Sequence, residues 1–342
     1  MSRGNSTNDG ARSRALVKDR ACQRRAWDYL SSTRMSKGPY TAAALELSHK
    51  ATVGELASAA LASAAQQIQR NTRGARDDRG PDHGHQLRIG LRRARVVVRL
   101  FSRRIGKRRA AALQRELRWA FRRIGELRDY DMLLMQVIEP LAVDEVMPAL
   151  ELLAREVMRR RKRAARAVKR ALGSGRYLTL LRDVDRLERE LARVVEAHPH
   201  GRAQRSHDKR ARKWIKKRLD ARLGAVVSMR DVALGRDEAA QHALRKQLKK
   251  LRYVTELVRG LWAKKRVKHY LSHMKTLQDT LGAINDAVSA RRLLHDLEPS
   301  EHGDLSAALA LCEGQLDAQL AEQSAKLAPA LAVLETSPPF WR

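Results

Sequence analysis

The sequence predicts an all-α fold: two pseudo-symmetric antiparallel helical bundles, built from an internal repeat and forming a central basic groove. Three observations predict it. From about Tyr40 onward Ala, Leu, Arg, Glu and Lys dominate, and no stretch alternates apolar and polar residues as a half-buried strand does. Gly, Pro and Asp interrupt the helical periodicity strongly at residues 71–84 and 198–207. Two short motifs each occur twice, at one common offset of 157 residues.

Residues 1–38, rich in Arg, Ser, Gly and Asn without sustained periodicity, read as a basic disordered tail in which Trp27 and Tyr29 offer local docking points. Apolar residues at three- and four-residue spacing then predict helices over about 41–70, 85–104, 107–126, 131–139, 143–172 and 176–197. A second series follows over about 207–224, 238–262, 265–282, 286–297 and 304–333. The domain spans 39–335, its first repeat 39–197 and its second 205–335, with 336–342 as a short C-terminal tail. No insertion separates the two motifs in either copy, which predicts the same helix lengths and turns in each half.

The 342 residues are long enough for a real core, and the 43 % apolar content is that of a folded chain. Lys and Arg number 70 against 38 acidic residues, a formal charge of +32. Self-repulsion on that scale calls for an anionic partner: nucleic acid, an anionic membrane surface or a phosphate polymer. Aromatic residues make up only 4 % and form no run suited to base stacking, so nucleic acid is the secondary candidate. No apolar run approaches the roughly 18–20 residues of a membrane span, and residues 1–10 lack the apolar core of a signal peptide. Cys22 and Cys312 lie far apart in no metal-type spacing and read as ordinary thiols of a reducing compartment; the expected location is the cytoplasm. The basic stretch from Arg159 to Arg170 lacks the large apolar anchors of a membrane-surface helix and reads as a solvated face.

The first motif, His85-Gln-Leu87-Arg88-Ile-Gly-Leu91-Arg92-Arg93-Ala-Arg95, returns as His242-Ala-Leu244-Arg245-Lys-Gln-Leu248-Lys249-Lys250-Leu-Arg252. At about 100° per residue, His85, Arg88, Arg92, Arg95 and Arg99 share an arc about 80° wide, flanked on both sides by apolar residues. His242, Arg245, Lys249 and Arg252 share the same arc in the second copy. There Glu256 replaces the equivalent of Arg99, so the second stripe is a turn shorter or closes on an internal ion pair. Too few carboxylates share this face to pair the cations, and Arg and Lys are rarely buried unpaired. An external anion is the natural partner, and the planar fork of arginine suits phosphate. His85 is expected in the first turn of its helix, with His242 about a turn deeper in its own. The second motif, Ile124-Gly125-Glu-Leu127-Arg128-Asp129, returns as Leu281-Gly282-Ala-Ile284-Asn285-Asp286. Asp129 and Asp286 read as caps on a helix following a glycine turn, or else as carboxylates that orient an arginine.

These paired motifs resemble those of the CHAD family, the conserved histidine α-helical domain, over roughly residues 39–335. The resemblance implies two similar helical bundles that bind inorganic polyphosphate in a central basic cavity, and an association with polyphosphate granules. The residues that carry over are His85, Arg88, Arg92, Arg93 and Arg95 with His242, Arg245, Lys249, Lys250 and Arg252, and more weakly Lys275, just before the second glycine. The E-x-E-x-K signature of the triphosphate tunnel domains that accompany many members is absent: Glu188-x-Glu190 is followed by Leu191-Ala192. No catalysis and no cofactor are expected. His269 and His273 have the spacing of a metal pair, but Ala112 and Glu116 stand at the corresponding places in the first copy. The pairs His83–His85 and His198–His200 have no acidic cluster beside them.

Overall fold

Thr52 sets the start of the first helix. Its hydroxyl accepts the Glu55 N–H at 3.2 Å and the Glu55 carboxylate accepts the Thr52 N–H at 2.6 Å, a reciprocal cap for donors that a helix leaves open. The computed structural model describes residues 38–142, 147–197, 210–235, 237–297 and 305–342. The expectations for residues 1–37, including Cys22, Trp27 and Tyr29, and for most of the 198–207 junction lie outside these. Helix α1 (Val53–Arg76) follows the cap, so the predicted helix 41–70 begins late. Residues 38–48 have no regular structure. The Ala-rich sequence there favours a helix, but Asn71 claims the backbone of Tyr40 on both sides, accepting from its N–H at 3.1 Å and donating to its carbonyl at 2.8 Å.

The chain continues through α2 (Pro81–Leu100), α3 (Ser102–Ile105), α4 (Lys107–Leu133), a π turn (Leu134–Ile138), α5 (Glu139–Leu141), α6 (Met147–Leu172) and α7 (Gly175–Glu196). Then come α8 (Ala211–Val227), α9 (Arg230–Leu234), α10 (Glu238–Val258), a 3-10 turn (Arg259–Leu261), α11 (Lys264–His295) and α12 (Ser306–Thr336). The fold is all-α. The predicted loop 71–84 contracts to 77–80, because Pro81, with its fixed φ and no N–H to satisfy, opens α2 directly.

Two predicted breaks are absent. Residues 107–126 and 131–138 belong to α4 and its π-turn extension, with Glu139 opening α5, and residues 265–282 and 286–297 lie along one helix, α11, except for the last two. Gly125 and Gly282 are therefore mid-helix, and Asp129 and Asp286 cap nothing. Pro81 and Glu238, which open α2 and α10, stand 157 residues apart, as do Lys107 and Lys264, which open α4 and α11. Beyond these pairs the halves differ. Helix α8 is 17 residues against 24 for α1, and α7 has no counterpart among the described residues.

Helix α1 packs on α2 and α7, and α4 on α2 and α6; in the second half α10 packs on α8 and α11, and α11 on α12. Leu56, Leu61 and Ile68 of α1 are fully buried at the centre of the first half, each contributing roughly 1.5–3 kcal/mol of burial. The halves meet where α2 touches α10, α4 touches α11 and α12 touches α6. Their first helices are also tied together: Thr52 and Arg210 form an antiparallel bridge, with Ala211 N donating to Ala51 O at 2.9 Å. Residues 336–342 are no loose tail. Phe340 and Trp341 are buried beside Tyr270, and Trp341 Nε1 donates to Asp220 at 2.9 Å.

One polar network is locked inside the first half. Arg161 of α6, 2 % exposed, donates through Nε to Asp131 of α4 at 2.8 Å. Its two terminal nitrogens grip Asp78 in the 77–80 turn, each at 2.7 Å. The turn that launches α2 is thereby fixed to α4 and α6. Cys312 is a buried free thiol, pushed up to about 11 by burial. Among the described residues, no helix is long and apolar enough to cross a membrane.

Candidate anion-binding site

His85 and His242 each occupy the fifth position of their helix, so both sit at one depth, past the first turn. The expectation that His85 lies in the first turn, and shallower than His242, fails because Pro81 starts α2 four residues before it. At that depth α2 and α10 run beside α4 and α11, and the second motif faces the first. His85 lies near Arg128, and His242 Nδ1 lies 2.9 Å from Asn285 Oδ1, at the matching position. One turn on, Arg88 lies near Asp129, and Arg245 donates to Asp286 at 3.2 Å. The capping role therefore holds for neither aspartate; Asp286 bonds its arginine, whereas Asp129 acts on Arg88 only through its charge.

Gly125 explains how Arg88 fits. A Cβ there would stand 2.9 Å from Arg88 Nη1, so any side chain would push the guanidinium aside. Arg88 also lies over Phe121, 4.4 Å from the ring centroid, a cation–π contact that does not consume its N–H donors. Arg88, Arg245 and Lys249 converge with Asp129 and Asp286 on one cavity of about 150 Å³, lined at its apolar end by Leu133, Val137 and Leu316.

Five cations gather here, Arg88, Arg92, Arg128, Arg245 and Lys249, against the two carboxylates Asp129 and Asp286. The imbalance shows in the protonation equilibria. Burial first, then Arg245 and Arg92, pushes the Lys249 ammonium down to about 7. Burial first, then Arg128 and Arg92, pushes His85 down to about 4. Desolvation first, with the like charge of Asp286, raises the pKa of Asp129 against the pull of Arg88, although the residue keeps contact with water. Arg88 Nη1, Arg92 Nε, Arg128 Nη1 and Arg245 Nε are buried donors without a hydrogen-bond partner.

The other predicted residues go elsewhere. Arg93 turns toward α1 and donates to Gln67 at 2.9 Å and Ser63 at 3.0 Å. Arg252 closes on Glu256 at 2.6 Å, the internal ion pair that the sequence offered as one alternative. Lys250 donates to Gln247 at 3.0 Å. Lys275 is exposed and paired with Asp279; with no turn at Gly282 to bring it inward, it points away from the cavity. Arg95 and Arg99 extend the stripe toward α4 and α8, where burial and then the like charges of Arg99, Arg118, Arg122 and Arg92 lower the Arg95 pKa. Arg222 of α8 joins this group, lowered by burial and by Arg99.

Sequence reasoning missed Arg128, Asn285, Tyr253 and Phe121. The first two stand inside the second motif, where treating the glycine as a turn hid that they face the histidines. Arg92 lies over Tyr253, 4.4 Å from its ring centroid. The His269–His273 pair stacks edge to face, with His273 Nδ1 2.5 Å from Ser337 Oγ, and no group of three or more metal-ligating residues forms among the described residues.

Comparison with known proteins adds the following. A family model for the CHAD domain matches residues 59–295. The crystal structure of the CHAD domain from the plant Ricinus communis is similar at 26 % identity and a TM-score of 0.74, over 89 % of this chain and 99 % of that one. PptA from Streptomyces chartreusis is similar in fold at 16 % identity and a TM-score of 0.63, over 82 % of this chain and 100 % of that one. No curated protein matches.

Proposed function

The chain belongs to the CHAD domain family, and on that premise we propose that it binds inorganic polyphosphate between α2 and α10 without altering it. The observation that carries the reading is the convergence of Arg88, Arg245 and Lys249, from two helices, on one cavity whose cations outnumber its carboxylates. Arginine forks and a lysine point charge complement a chain of anionic oxygens, and the buried unpartnered N–H groups gain acceptors when that chain enters. A binder rather than an enzyme is favoured because Asp286 is engaged by Arg245 and Asp129 lies in the field of Arg88 and Arg128. Targeting to polyphosphate granules would follow from such binding.

The test is a competition titration at physiological salt between long-chain polyphosphate and duplex DNA of equal charge. Polyphosphate should win by orders of magnitude. Equal competition would mean that the +32 charge acts as an unselective surface.

Protonation gives a second prediction. Lys249 is faced by Arg245, Arg92, Asp286 and Arg88, and its pKa of about 7 lies below its ordinary 10.5. The neutral amine must take up a proton to hold an anion. Affinity is therefore full below about pH 7 and falls as pH rises above it, with up to one proton taken up per complex. The empty protein runs the other way: its unfolded chain binds the extra proton between about 7 and 10.5, so stability rises with pH through that window. Calorimetric titration in buffers of different ionisation enthalpy reads the uptake. Lys249→Arg, charged at every accessible pH, should flatten the profile, and an unchanged profile in that variant would assign the proton elsewhere.

A further inference from the structure

A second cavity, of about 290 Å³, lies on the other flank of the α2 stripe. Arg92, Arg93, Arg252, Arg259, Tyr253 and Glu256 form its polar wall, and residues 41–45 of the N-terminal segment cover it. That cover is fastened at both ends. Tyr40 is held through its backbone by Asn71, through its hydroxyl by Gln66 at 2.5 Å, and through its ring by Arg70 at 4.5 Å. At the other end the Leu45 carbonyl rests on Gly260, where a Cβ would stand only 2.3 Å from the oxygen. Only glycine lets the segment lie there.

The chemistry of this space is that of an anion site. Four guanidinium groups face one carboxylate, and Glu256 is already taken by Arg252. Arg93 is hydrogen-bonded by neutral partners, Gln67 and Ser63, and shares the field of that same Glu256 with Arg252. Arg92 links the two spaces through its charge. Its charge acts on Lys249 and Arg245 of the first cavity, while its side chain lines the second and lies over Tyr253. Arg92 Nε and the Tyr253 hydroxyl are buried without partners, so the lining of the second cavity carries unsatisfied donors.

We infer that the second cavity is an anion compartment continuing the first across the Arg92–Tyr253 wall, and that a long polyphosphate occupies both while a short oligophosphate fills only the first. The inference rests on the polyphosphate reading and adds selection by chain length to it. Two full-length variants test it. Ala43→Trp fills the second cavity from its cover, and Arg259→Glu reverses a charge that lines the second cavity and not the first. Each should weaken long-chain polyphosphate by about tenfold or more, the scale of one lost charge-assisted contact, and leave tripolyphosphate within about twofold. Thermal midpoints of both variants serve as the folding control. Unchanged long-chain affinity in Arg259→Glu, or equal losses for the two probes, would overturn the inference and leave the first site standing. Failure of the unmodified protein to bind either probe would overturn the polyphosphate reading, and the inference with it.

Discussion

Arg92→Glu combined with Lys249→Glu is expected to abolish polyphosphate binding at physiological salt while leaving the helical circular-dichroism signal intact. The two side chains come from opposite helices, α2 and α10, and each is surrounded by like charge. Each reversal removes a charge-assisted contact worth about 1.5–3 kcal/mol and puts a repelling carboxylate where a phosphate oxygen would lie. Together these exceed a thousandfold in affinity, about 4 kcal/mol. The fold should tolerate the change, because new glutamates beside Arg88 and Arg245 relieve repulsion rather than create it. Affinity that survives both reversals at moderate salt would move the site off the α2–α10 pair.

The largest expected loss of stability is at Arg161. Arg161→Met leaves Asp131, itself 3 % exposed, and Asp78 without the guanidinium that joins them. Removing one partner from a buried ion pair costs about 3–5 kcal/mol, because the other charge stays desolvated. Whole domains have only about 5–15 kcal/mol, so the urea midpoint should fall by about a fifth or more with little change in slope. Adding Asp131→Asn should restore part of the loss, since burial already raises the Asp131 pKa even beside its partner. A loss under about 1 kcal/mol would mean that water enters and solvates the pair. Because Asp78 lies in the turn that launches α2, this network also aligns Arg88 with the cavity.

The helical class and the offset of 157 residues were legible because both are local or periodic properties of the chain. The starts of α2 and α10 and of α4 and α11 show that offset to the residue. Gly125 was misread for a physical reason: a glycine in a helical pattern ordinarily marks a break, whereas here it makes room for an arginine on another helix. Nothing in the structure explains Gly282, which has open space where its Cβ would stand. Helical angle placed Arg88, Arg92, Arg245 and Lys249 on the facing arcs but left open which helix each arc meets. Arg93, next along the chain, turns to α1 instead. The N-terminal segment was illegible for a similar reason, since its path depends on Asn71 and Gly260, distant in sequence. Arg118, Arg122 and Arg222 became candidates only when folding brought α4 and α8 beside the end of α2.

Under the polyphosphate proposal, the crowded, half-sheltered cations between α2 and α10 make the ligand part of the energetics of the fold. Any multivalent anion that binds the native chain and not the unfolded one raises apparent stability by RT ln(1 + [L]/Kd), about 2.7 kcal/mol at a hundredfold excess over Kd. The melting temperature is then a property of the solution as much as of the polypeptide. A preparation in phosphate buffer will look sturdier than one in chloride, and loss of the polyanion would expose the chain to degradation as well as empty its site.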